Sequence, residues 1–383
     1  MFKSSIIEIS ESAINQNITF VKSILLEGVK LSCVVKGNAY GHGVAEYVPL
    51  AEKAGVDHFS VFSADEAYEV KNVCRPGTDI MIMGYTDDQA LSWCIEQGIE
   101  FYVFDFDRLI KVAEVAESLN KKAKIHIEIE TGFNRTGFNM TEFSDVLKFI
   151  KNHASSISFE GLCTHYAGAE SIANYVRVQS QLKKFIQARR KAEKAGVTPR
   201  RYHTASSAAT ITYPKTQMDM VRIGILQFGF WPTPETHVQY INKHGEPRQP
   251  LQRILTWKST VMSTKNIKAG EFIGYGTSYL AITDKVIATV PVGYAHGFPR
   301  SLSNMGRVLI HGKRVGVIGT VNMNIMTIDV TALEGVKPGD EVVIIGHQGE
   351  LDISVASFSE LSAQVNYETL TRLPANIQRK IVE

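Results

Sequence analysis

Short apolar runs alternate with segments of helical periodicity over the first 230 residues. The runs lie at 31–35, 58–62, 79–83, 100–104, 125–129, 157–163, 202–205 and 220–228. Segments between most of them, such as 64–72, 86–96, 106–119, 140–152 and 174–195, repeat apolar side chains every three or four positions. About eight such alternations predict a TIM-like (β/α)₈ barrel. A doubly wound parallel sheet is the competing fold, but no GxGxxG motif follows the first run.

The pattern changes after Phe230. The segment 231–250 is rich in proline and polar residues, which is typical of a linker or a boundary loop. Runs rich in β-branched residues follow at 253–263, 285–292, 307–310, 315–321, 325–330 and 341–345, and a helical pattern covers 353–365. We therefore predict an α/β protein with a barrel over 1–236 and a mainly β domain over 237–383.

Composition narrows the class of protein. A chain of 383 residues is too long for one ordinary domain, and its net charge of +2 is dispersed, so nothing favours nucleic-acid binding. The four cysteines occur singly, which indicates reduced thiols and neither a disulfide framework nor a metal site. The sequence lacks a signal-peptide pattern and an apolar stretch of membrane-spanning length. These features predict a cytoplasmic protein without a membrane or nucleic-acid partner.

Lys36 ends the first apolar run. The stretch KLSCVVKGNAYGHG places it before a loop that contains Gly37, Gly41 and Gly43. The carboxyl ends of barrel strands carry active sites, and a lysine close to apolar walls loses its proton readily, as a Schiff-base lysine must. A strand-end lysine whose ammonium reaches solvent is the alternative interpretation.

Polar side chains also follow later runs. His126, Glu128 and Glu130 alternate with isoleucines, and Arg135 in the next loop offers a fork for Glu128 or for a substrate carboxylate. A structural ion pair is the alternative. His165 follows the next run, where an isolated histidine is more typical of a hydrogen-bonded core side chain.

The last two barrel runs predict a phosphate site. Ser206, Ser207 and the Gly224–Ile225 amides lie where barrels commonly bind phosphate, and Arg222 stands in an apolar run where it needs an acceptor. Together with Lys36, they predict pyridoxal 5′-phosphate, a phosphorylated aldehyde cofactor that bonds to a lysine.

Glycine-framed aromatic residues mark the β domain. Tyr275 lies in IGYGTSY, and Tyr294 and His296 lie in VPVGYAHGFPR. Met323 interrupts a strand, and Tyr367 lies in VNYETL. Each tyrosine by itself is more typical of packing or of an interface than of catalysis.

Eight motifs, in this order, resemble the alanine racemase family of fold type III pyridoxal-phosphate enzymes. They are VVKGNAYGHG, TGFNRTGF, CTHYAGAE, ASSAAT, VRIGILQFG, IGYGTSY, VPVGYAHGFPR and VNMNIMTIDV, and they cover nearly the whole chain. The resemblance implies interconversion of L- and D-alanine, in which Tyr275 acts on the L-antipode and Lys36 on the D-antipode. It also implies a homodimer in which Tyr275 is supplied across the interface, and a role in D-alanine biosynthesis for peptidoglycan precursors.

The resemblance assigns further residues. It places Arg222 at the pyridine nitrogen, supported by His165, and because a guanidinium keeps its protons this nitrogen should stay unprotonated. It assigns the substrate carboxylate to Arg135 and the Met323 backbone. The cofactor phosphate is assigned to Tyr40, Ser207, Gly224, Ile225 and Tyr367.

Departures from the family pattern leave the substrate range open. Glu128 stands where some members carry a carbamylated lysine, and Ser206 replaces a common asparagine. Four residues replace the family's usual Asp, Asp, Arg and Asp at the substrate entrance, namely Glu170, His296, Thr320 and Asn324. Besides alanine racemisation, the sequence leaves open a broader racemase for serine or basic amino acids, a fold type III amino-acid decarboxylase and a non-enzymatic cofactor carrier. The decarboxylase lacks support because all four cysteines precede residue 164, so the β domain has no cysteine acid.

Overall fold

Strands and helices alternate along the first 223 residues, as the apolar pattern predicts. The structure is a computed structural model that describes residues 4–245, 249–358 and 366–383. The strands of this part are β1 (Ser5–Ser10), β2 (Lys30–Val34), β3 (His58–Val61), β4 (Asp79–Ile82), β5 (Glu100–Val103), β6 (Ala123–Glu128), β7 (Ile157–Cys163), β8 (Arg201–His203) and β9 (Met220–Ile223). The helices are Glu11–Ser23, Val44–Lys53, Ala64–Val73, Asp88–Gln97, Phe106–Ser118, Phe143–Asn152, Tyr175–Ala195, Ser207–Thr212 and Pro234–His244.

Strands β2 to β9 form one parallel sheet that curls into a nearly closed barrel. Their spatial order in the described residues is β8-β7-β6-β5-β4-β3-β2-β9. The two ends of the sheet meet where the Arg222 N–H donates to the Ala205 carbonyl at 2.9 Å and the Asp219 N–H donates to the Tyr202 carbonyl at 3.0 Å. The barrel and the fold class are thus confirmed. The last run is divided, because β9 ends at Ile223 and a 3₁₀ turn, Ile225–Phe228, follows Gly224.

The prediction of a linker over 231–250 is wrong, because Pro234–His244 is a helix. Thr233 caps it: its hydroxyl accepts from the Thr236 N–H at 3.2 Å, and the Thr236 hydroxyl accepts from the Thr233 N–H at 3.1 Å. Proline is well placed in the first turn of a helix, where no backbone donor is needed. The sequence therefore contained a helix N-cap, Thr233 followed by Pro234, but the proline content of the segment favoured the prediction of a linker.

Short strands, most of them antiparallel, recur through the second half of the chain. They are β10 (Leu255–Thr260), β11 (Ser263–Ile267), β12 (Lys285–Val290), β13 (Arg307–Ile310), β14 (Lys313–Gly316), β15 (Met326–Asp329), β16 (Glu341–Gln348), β17 (Leu351–Ile353) and β18 (Gln378–Val382). A short helix, Asn366–Thr371, precedes the last of them. The predicted run 315–321 is mostly not a strand, since β14 ends at Gly316. Most of the helix predicted over 353–365 lies outside the described residues.

The strands of this half form two sheets in the described residues. One has the order β14-β13-β16-β10-β1-β18, with β17 paired to β16, and the other has the order β11-β12-β15. Strand β1 pairs antiparallel with β10 and parallel with β18. The described chain accordingly divides into a barrel unit, 13–37 with 48–252, and a β unit, 1–12 with 38–47 and 253–383.

One face of the barrel strands is polar although it is buried. In β6, Ile125 and Ile127 are fully buried on one face, and His126 and Glu128 alternate with them. Buried polar side chains of other strands join the second face, namely Ser32, Ser60, His58, Glu100, His203 and Arg222. Such groups need hydrogen-bond partners to offset the loss of water.

In the ranges described, no helix combines the length and apolar character needed to cross a bilayer.

Candidate active site

Lys36 is separated from β2 by Val35 and begins a left-handed helical turn. Asn38, Ala39 and Tyr40 have φ angles of 53°, 53° and 52°. Left-handed backbone costs roughly 1–2 kcal/mol per residue for side chains other than glycine, so the surrounding contacts must enforce it. The Gly43 N–H donates to the Asn38 carbonyl at 3.0 Å, and the Val44 N–H donates to the Asn38 side chain at 2.9 Å. Strained backbone of this kind is concentrated at functional sites.

The surroundings of Lys36 favour its neutral amine. Its side chain is exposed, but the protein packed around it withdraws enough water to lower the pKa of its ammonium. The positive charge of Arg135 lowers this pKa further, and the carboxylate of Glu66 opposes both effects. Glu66 is held in place because it accepts from the Gly37 N–H at 2.6 Å. Lys36 therefore has the property that a nucleophilic or proton-accepting lysine requires.

Replacing Arg135 by glutamine is expected to raise the pKa of Lys36, because it removes a cation that disfavours the ammonium. The reaction of cofactor-free protein with pyridoxal phosphate should then reach its half-maximal rate at a higher pH. The rate is measured by borohydride trapping and by mass spectrometry of the peptide that contains Lys36. Arg177→Gln, at an arginine that does not contribute to the Lys36 pKa, is the matched control. An unchanged pH midpoint in Arg135→Gln would contradict this account.

Arg222 is buried and donates to four acceptors. Its Nη1 lies 2.5 Å from His203 Nδ1 and 2.9 Å from the His203 carbonyl. Its Nη2 donates to the carbonyls of Thr164 and Thr204 at 2.9 and 3.4 Å. His203 was missed from the sequence. The sequence did contain an indication of His203, because a buried arginine such as Arg222 needs an acceptor and the neighbouring strand can provide one.

The third nitrogen of Arg222, Nε, has no acceptor among the described residues and is not sealed from solvent. A donor held in this way suits an unprotonated ring nitrogen, so Arg222 fits the pyridine of the predicted cofactor. His165, which was expected to support Arg222, is not its hydrogen-bond partner in the described chain. His165 lies within the electrostatic reach of Arg222, Arg135 and Lys36, and burial together with these charges lowers its pKa to about 3.

Ser207 and Gly224 meet at the end of the barrel predicted to bind phosphate. The Ser207 hydroxyl accepts from the Gly224 N–H at 3.0 Å, and both residues are buried. Ile225, also buried, begins the 3₁₀ turn that follows. The Ser207 hydroxyl keeps its own proton to donate, and it lies in one of the loops after the last two barrel strands, where many barrels bind a phosphate group. Ser206, three residues after the end of β8, is joined to Arg222 of β9 by an isolated parallel bridge.

Glu128 and Arg135 do not form the ion pair that the sequence suggested. Glu128 accepts from the Thr136 hydroxyl at 2.6 Å, whereas the Arg135 guanidinium lies 4.3 Å from the centre of the Phe133 ring. Burial raises the pKa of Glu128, although the Thr136 hydrogen bond and the charges of Arg222 and Arg135 oppose this. The exposed Arg135 therefore remains open to a substrate carboxylate.

Tyr275, in the β unit, is largely exposed, at 74% of its surface. Gly274 and Gly276 on either side have φ angles of 79° and 66°, so the turn presents the phenol outward as the glycine frame predicts. The Gly274 Cα faces the Thr320 N–H, and the Thr320 hydroxyl donates to Ser278 at 3.0 Å. The predicted entrance residue Thr320 thus lies beside the Tyr275 turn.

Met323, Asn324 and Tyr367 are also exposed in the β unit. The Ala295 N–H donates to the Met323 carbonyl at 2.9 Å, and His296 accepts from the Gly293 N–H at 3.2 Å. A side chain at Gly293 would come within 2.0 Å of the Asn322 carbonyl, so this glycine permits the close approach of the two loops.

The structure therefore groups the predicted residues into two sets. The barrel unit contains Lys36, Glu128, Arg135, His165, Glu170, Ser206, Ser207, Arg222, Gly224 and Ile225. The β unit contains Tyr40, Tyr275, His296, Thr320, Met323, Asn324 and Tyr367. Within the barrel unit, the charge of Arg135 lowers the pKa of Lys36, and the charges of Arg222, Arg135 and Lys36 lower the pKa of His165, so these cationic groups lie within electrostatic reach of His165.

Comparisons with known proteins agree over the whole chain. Residues 9–232 match the family model described as "Alanine racemase, N-terminal domain", and residues 254–381 match "Alanine racemase, C-terminal domain". An alanine racemase of Leptospira interrogans (strain Fiocruz L1-130) is 33% identical over 380 residues, which cover 99% of this chain and 96% of the relative.

Solved structures give the same result. An alanine racemase from D-cycloserine-producing Streptomyces lavendulae has a TM-score of 0.91 at 27% identity, covering 100% of this chain and 98% of that one. The fold is also that of an alanine racemase from Bartonella henselae with covalently bound pyridoxal phosphate, with a TM-score of 0.85 at 23% identity and complete coverage of both chains.

Proposed function

The chain belongs to the alanine racemase family and is an isomerase of alanine. We propose that it uses pyridoxal 5′-phosphate as its cofactor and two bases, Lys36 and Tyr275. These two bases move the α-hydrogen of alanine. Enzymes of this family depend on pyridoxal phosphate in general. The observation that carries the proposal is Lys36, whose surroundings lower its pKa in the same region as the buried Arg222.

The residues of the barrel unit fit the cofactor. Lys36 would hold it covalently, Arg222 Nε would donate to its ring nitrogen, and Ser207, Gly224 and Ile225 would bind its phosphate. From the β unit, the proposal adds Tyr40 and Tyr367 as phosphate ligands, and it assigns His165 to the cofactor site as well. When bound, the cofactor withdraws electrons from the bond between the α-carbon of the substrate and its hydrogen.

The protein then supplies the proton transfers. A neutral Lys36 amine accepts or returns a proton on one face of the α-carbon, and the Tyr275 phenol does so on the other. A proton that leaves one face and is replaced on the opposite face inverts the carbon. Arg222 keeps its own protons, so it cannot protonate the ring nitrogen. Arg135 and the Met323 backbone are proposed to bind the substrate carboxylate.

The exposure of Tyr275 supports a homodimer with shared sites. Apolar neighbours on the same segment are also exposed, among them Phe272 at 52% and Ile282 at 82% of their surfaces. Exposed apolar side chains grouped in this way are typical of surfaces that bind another protein. We propose that each site is completed by the partner subunit's Tyr275. The proposal also includes a cytoplasmic location and a supply of D-alanine for peptidoglycan precursors.

Incubation of the enzyme with each L-amino acid, followed by chiral chromatography, tests the proposed reaction and its substrate range. We expect conversion of L-alanine to D-alanine until both are equally abundant, and a kcat/KM for serine that is lower by about 10- to 200-fold, the usual effect of one additional group in an apolar pocket. Protein without bound cofactor is the control. Absence of D-alanine would refute the proposal.

Basic amino acids test the altered entrance. Glu170 is exposed and carries a carboxylate in the barrel unit, so it offers a cationic side chain an opposite charge. Faster turnover of lysine or arginine than of alanine would mean that the departures at Glu170, His296, Thr320 and Asn324 have changed the substrate. Glu170→Gln should then lower kcat/KM for the basic substrate selectively.

A further inference from the structure

A chain of hydrogen bonds runs through the polar face of the barrel from Arg222 to Glu100. Arg222 Nη1 meets His203 Nδ1 at 2.5 Å, His203 Nε2 meets His126 Nδ1 at 2.8 Å, and His126 Nε2 meets Glu100 Oε2 at 2.8 Å. His58 Nε2 meets the same carboxylate oxygen at 3.3 Å. All of these side chains are buried, with Arg222 exposing 5% of its surface and the three histidines none.

The chemistry of the two ends fixes every proton in this chain. A guanidinium only donates, so His203 Nδ1 accepts and the proton of this imidazole is on Nε2. His203 Nε2 therefore donates to His126 Nδ1, which places the His126 proton on Nε2. His126 in turn donates to Glu100, and a carboxylate accepts. Both imidazoles are thus neutral and have the same tautomer, and the direction of donation is from Arg222 to Glu100.

We propose that Glu100 is a positioning residue for Arg222. Glu100 acts through His126 and His203, which keep Arg222 Nη1 hydrogen-bonded to His203 and leave Arg222 Nε free for the cofactor. The inference rests on the proposed function in one respect, namely that Arg222 meets the cofactor. It goes beyond that function because it assigns a role to a carboxylate at the other end of the hydrogen-bond chain, which no motif singled out.

The electrostatics of Glu100 agree with this role. Burial opposes its charge, but donation from His126 and His58 more than offsets this and holds its pKa far below the usual range. Arg201 Nη1 lies 3.4 Å from its other oxygen. Burial and the charge of Arg222 hold the pKa of His203 well below its usual value, which agrees with a neutral imidazole. Hydrogen bonds in such a chain polarise and strengthen one another.

Gly161 of β7 leaves room for the contact between His126 and His203. A Cβ at this position would lie 2.0 Å from His126 Nδ1 and 2.7 Å from His203 Nε2, the two atoms that share a proton in the chain. Its φ is not in the left-handed region, so the backbone does not demand glycine. The space it leaves is the space that the histidine pair occupies. Gly161→Ala is therefore a second way to interrupt the chain without altering either end.

The first experiment reads the tautomers in the unaltered protein and uses substitutions only to assign the signals. Protein labelled with ¹⁵N-histidine is examined by NMR near neutral pH, without and with bound pyridoxal phosphate, and the signals are assigned from histidine variants. We expect His126 and His203 to be neutral and protonated on Nε2 in both forms. A cationic His203, or a proton on its Nδ1, would overturn the proposal. This readout does not depend on racemase activity, so it separates failure of the inference from failure of the proposed function.

The second experiment uses Glu100→Gln. An amide that keeps its oxygen on the two histidines turns its NH₂ towards the Arg201 guanidinium, and the reverse orientation turns its NH₂ towards two donors, so either orientation sets donor against donor where the carboxylate accepted. We expect kcat for alanine to fall about 10- to 100-fold and the dissociation constant of the cofactor to rise by at least about 5-fold, with KM for alanine changed less than about 2-fold, as for other residues that orient a catalytic ligand. Gly161→Ala should reproduce these changes.

Matched controls separate positioning from loss of packing. Glu160 is a buried carboxylate of β7 that interacts with Ser158 and Arg200, and Gly316 of β14 has nothing within 4 Å of an added Cβ. Glu160→Gln and Gly316→Ala should leave kcat and cofactor binding unchanged. If Glu100→Gln folds and shows a lower melting temperature with unchanged kcat, cofactor affinity and histidine tautomers, Glu100 has only a structural role and the proposal fails. If Glu100→Gln does not fold, the proposal is judged by the tautomers of His126 and His203 in the unaltered protein.

Discussion

Replacing Lys36 by alanine is expected to abolish racemisation of alanine in both directions. The substitution removes the amine proposed to bond the cofactor and the base for one face of the substrate, so two functions are lost together. We expect the rate to fall by about 10⁴-fold or more, the upper range for losing a positioned acid–base group. D-alanine formation and L-alanine formation are both measured by chiral chromatography.

A lysine elsewhere on the barrel serves as the control for this substitution. Lys124 lies near the start of β6, away from the carboxyl ends of the strands, and Lys124→Ala should retain wild-type rates. The Lys36→Ala protein should also lose borohydride-dependent attachment of pyridoxal phosphate. A rate within about 10-fold of wild type would exclude Lys36 from the chemistry, because the loss of a general base costs at least about 10²-fold.

Much of the barrel could be predicted because its strands have one fully apolar face and end at polar loops. The run 157–163, for example, coincides with β7. Parallel barrel strands are short and buried, so each is marked by a compact apolar run. The helix Pro234–His244 was not predicted, because its first turn contains proline and its buried face is narrow, with Thr236 and Tyr240 as its buried residues.

The candidate site was predicted where a side chain is unusual for its position. A lysine at a strand end, an arginine inside an apolar strand and a tyrosine between glycines each violate local expectation, and the structure gives Lys36 and Arg222 the surroundings that such positions require. His203 violates nothing locally. Its importance arises from contacts with Arg222 and His126, which are 19 and 77 positions away along the chain.

Backbone conformation was the least predictable part of the site. The glycines after Lys36 predicted a loop, but the left-handed turn runs through Asn38, Ala39 and Tyr40, of which only asparagine adopts this conformation readily. Contacts made by other segments enforce it. Within the β unit, the Arg379 side chain donates to the Gly41 carbonyl at 2.9 Å. The local pattern of residues 30–43 cannot reveal this contact, because Arg379 lies 338 positions after Gly41 in the chain.

Replacing Tyr275 by phenylalanine is expected to remove most turnover while leaving the cofactor bound. The change deletes one hydroxyl from a side chain that is 74% exposed, so the free energy of unfolding should change by less than about 0.5 kcal/mol. Loss of the base for the L-antipode should lower the rate with L-alanine by about 10²- to 10⁴-fold. The absorbance of the bound cofactor should be unchanged. Tyr68→Phe, at another exposed tyrosine, is the control and should be fully active.

Mixing the two inactive variants tests whether Tyr275 acts across a dimer interface. A mixed dimer of Lys36→Ala and Tyr275→Phe subunits has one site with both defects and one with neither, if each site takes Lys36 from one subunit and the partner subunit's Tyr275. Random exchange of equal amounts makes half of the dimers mixed, so activity should recover to about one quarter of the wild-type value per subunit. Recovery is followed by chiral chromatography, and exchange by native mass spectrometry of subunits that carry different tags. If exchange is complete and activity stays at the level of the separate variants, both bases come from the same subunit, because a mixed dimer would then contain two sites with one defect each.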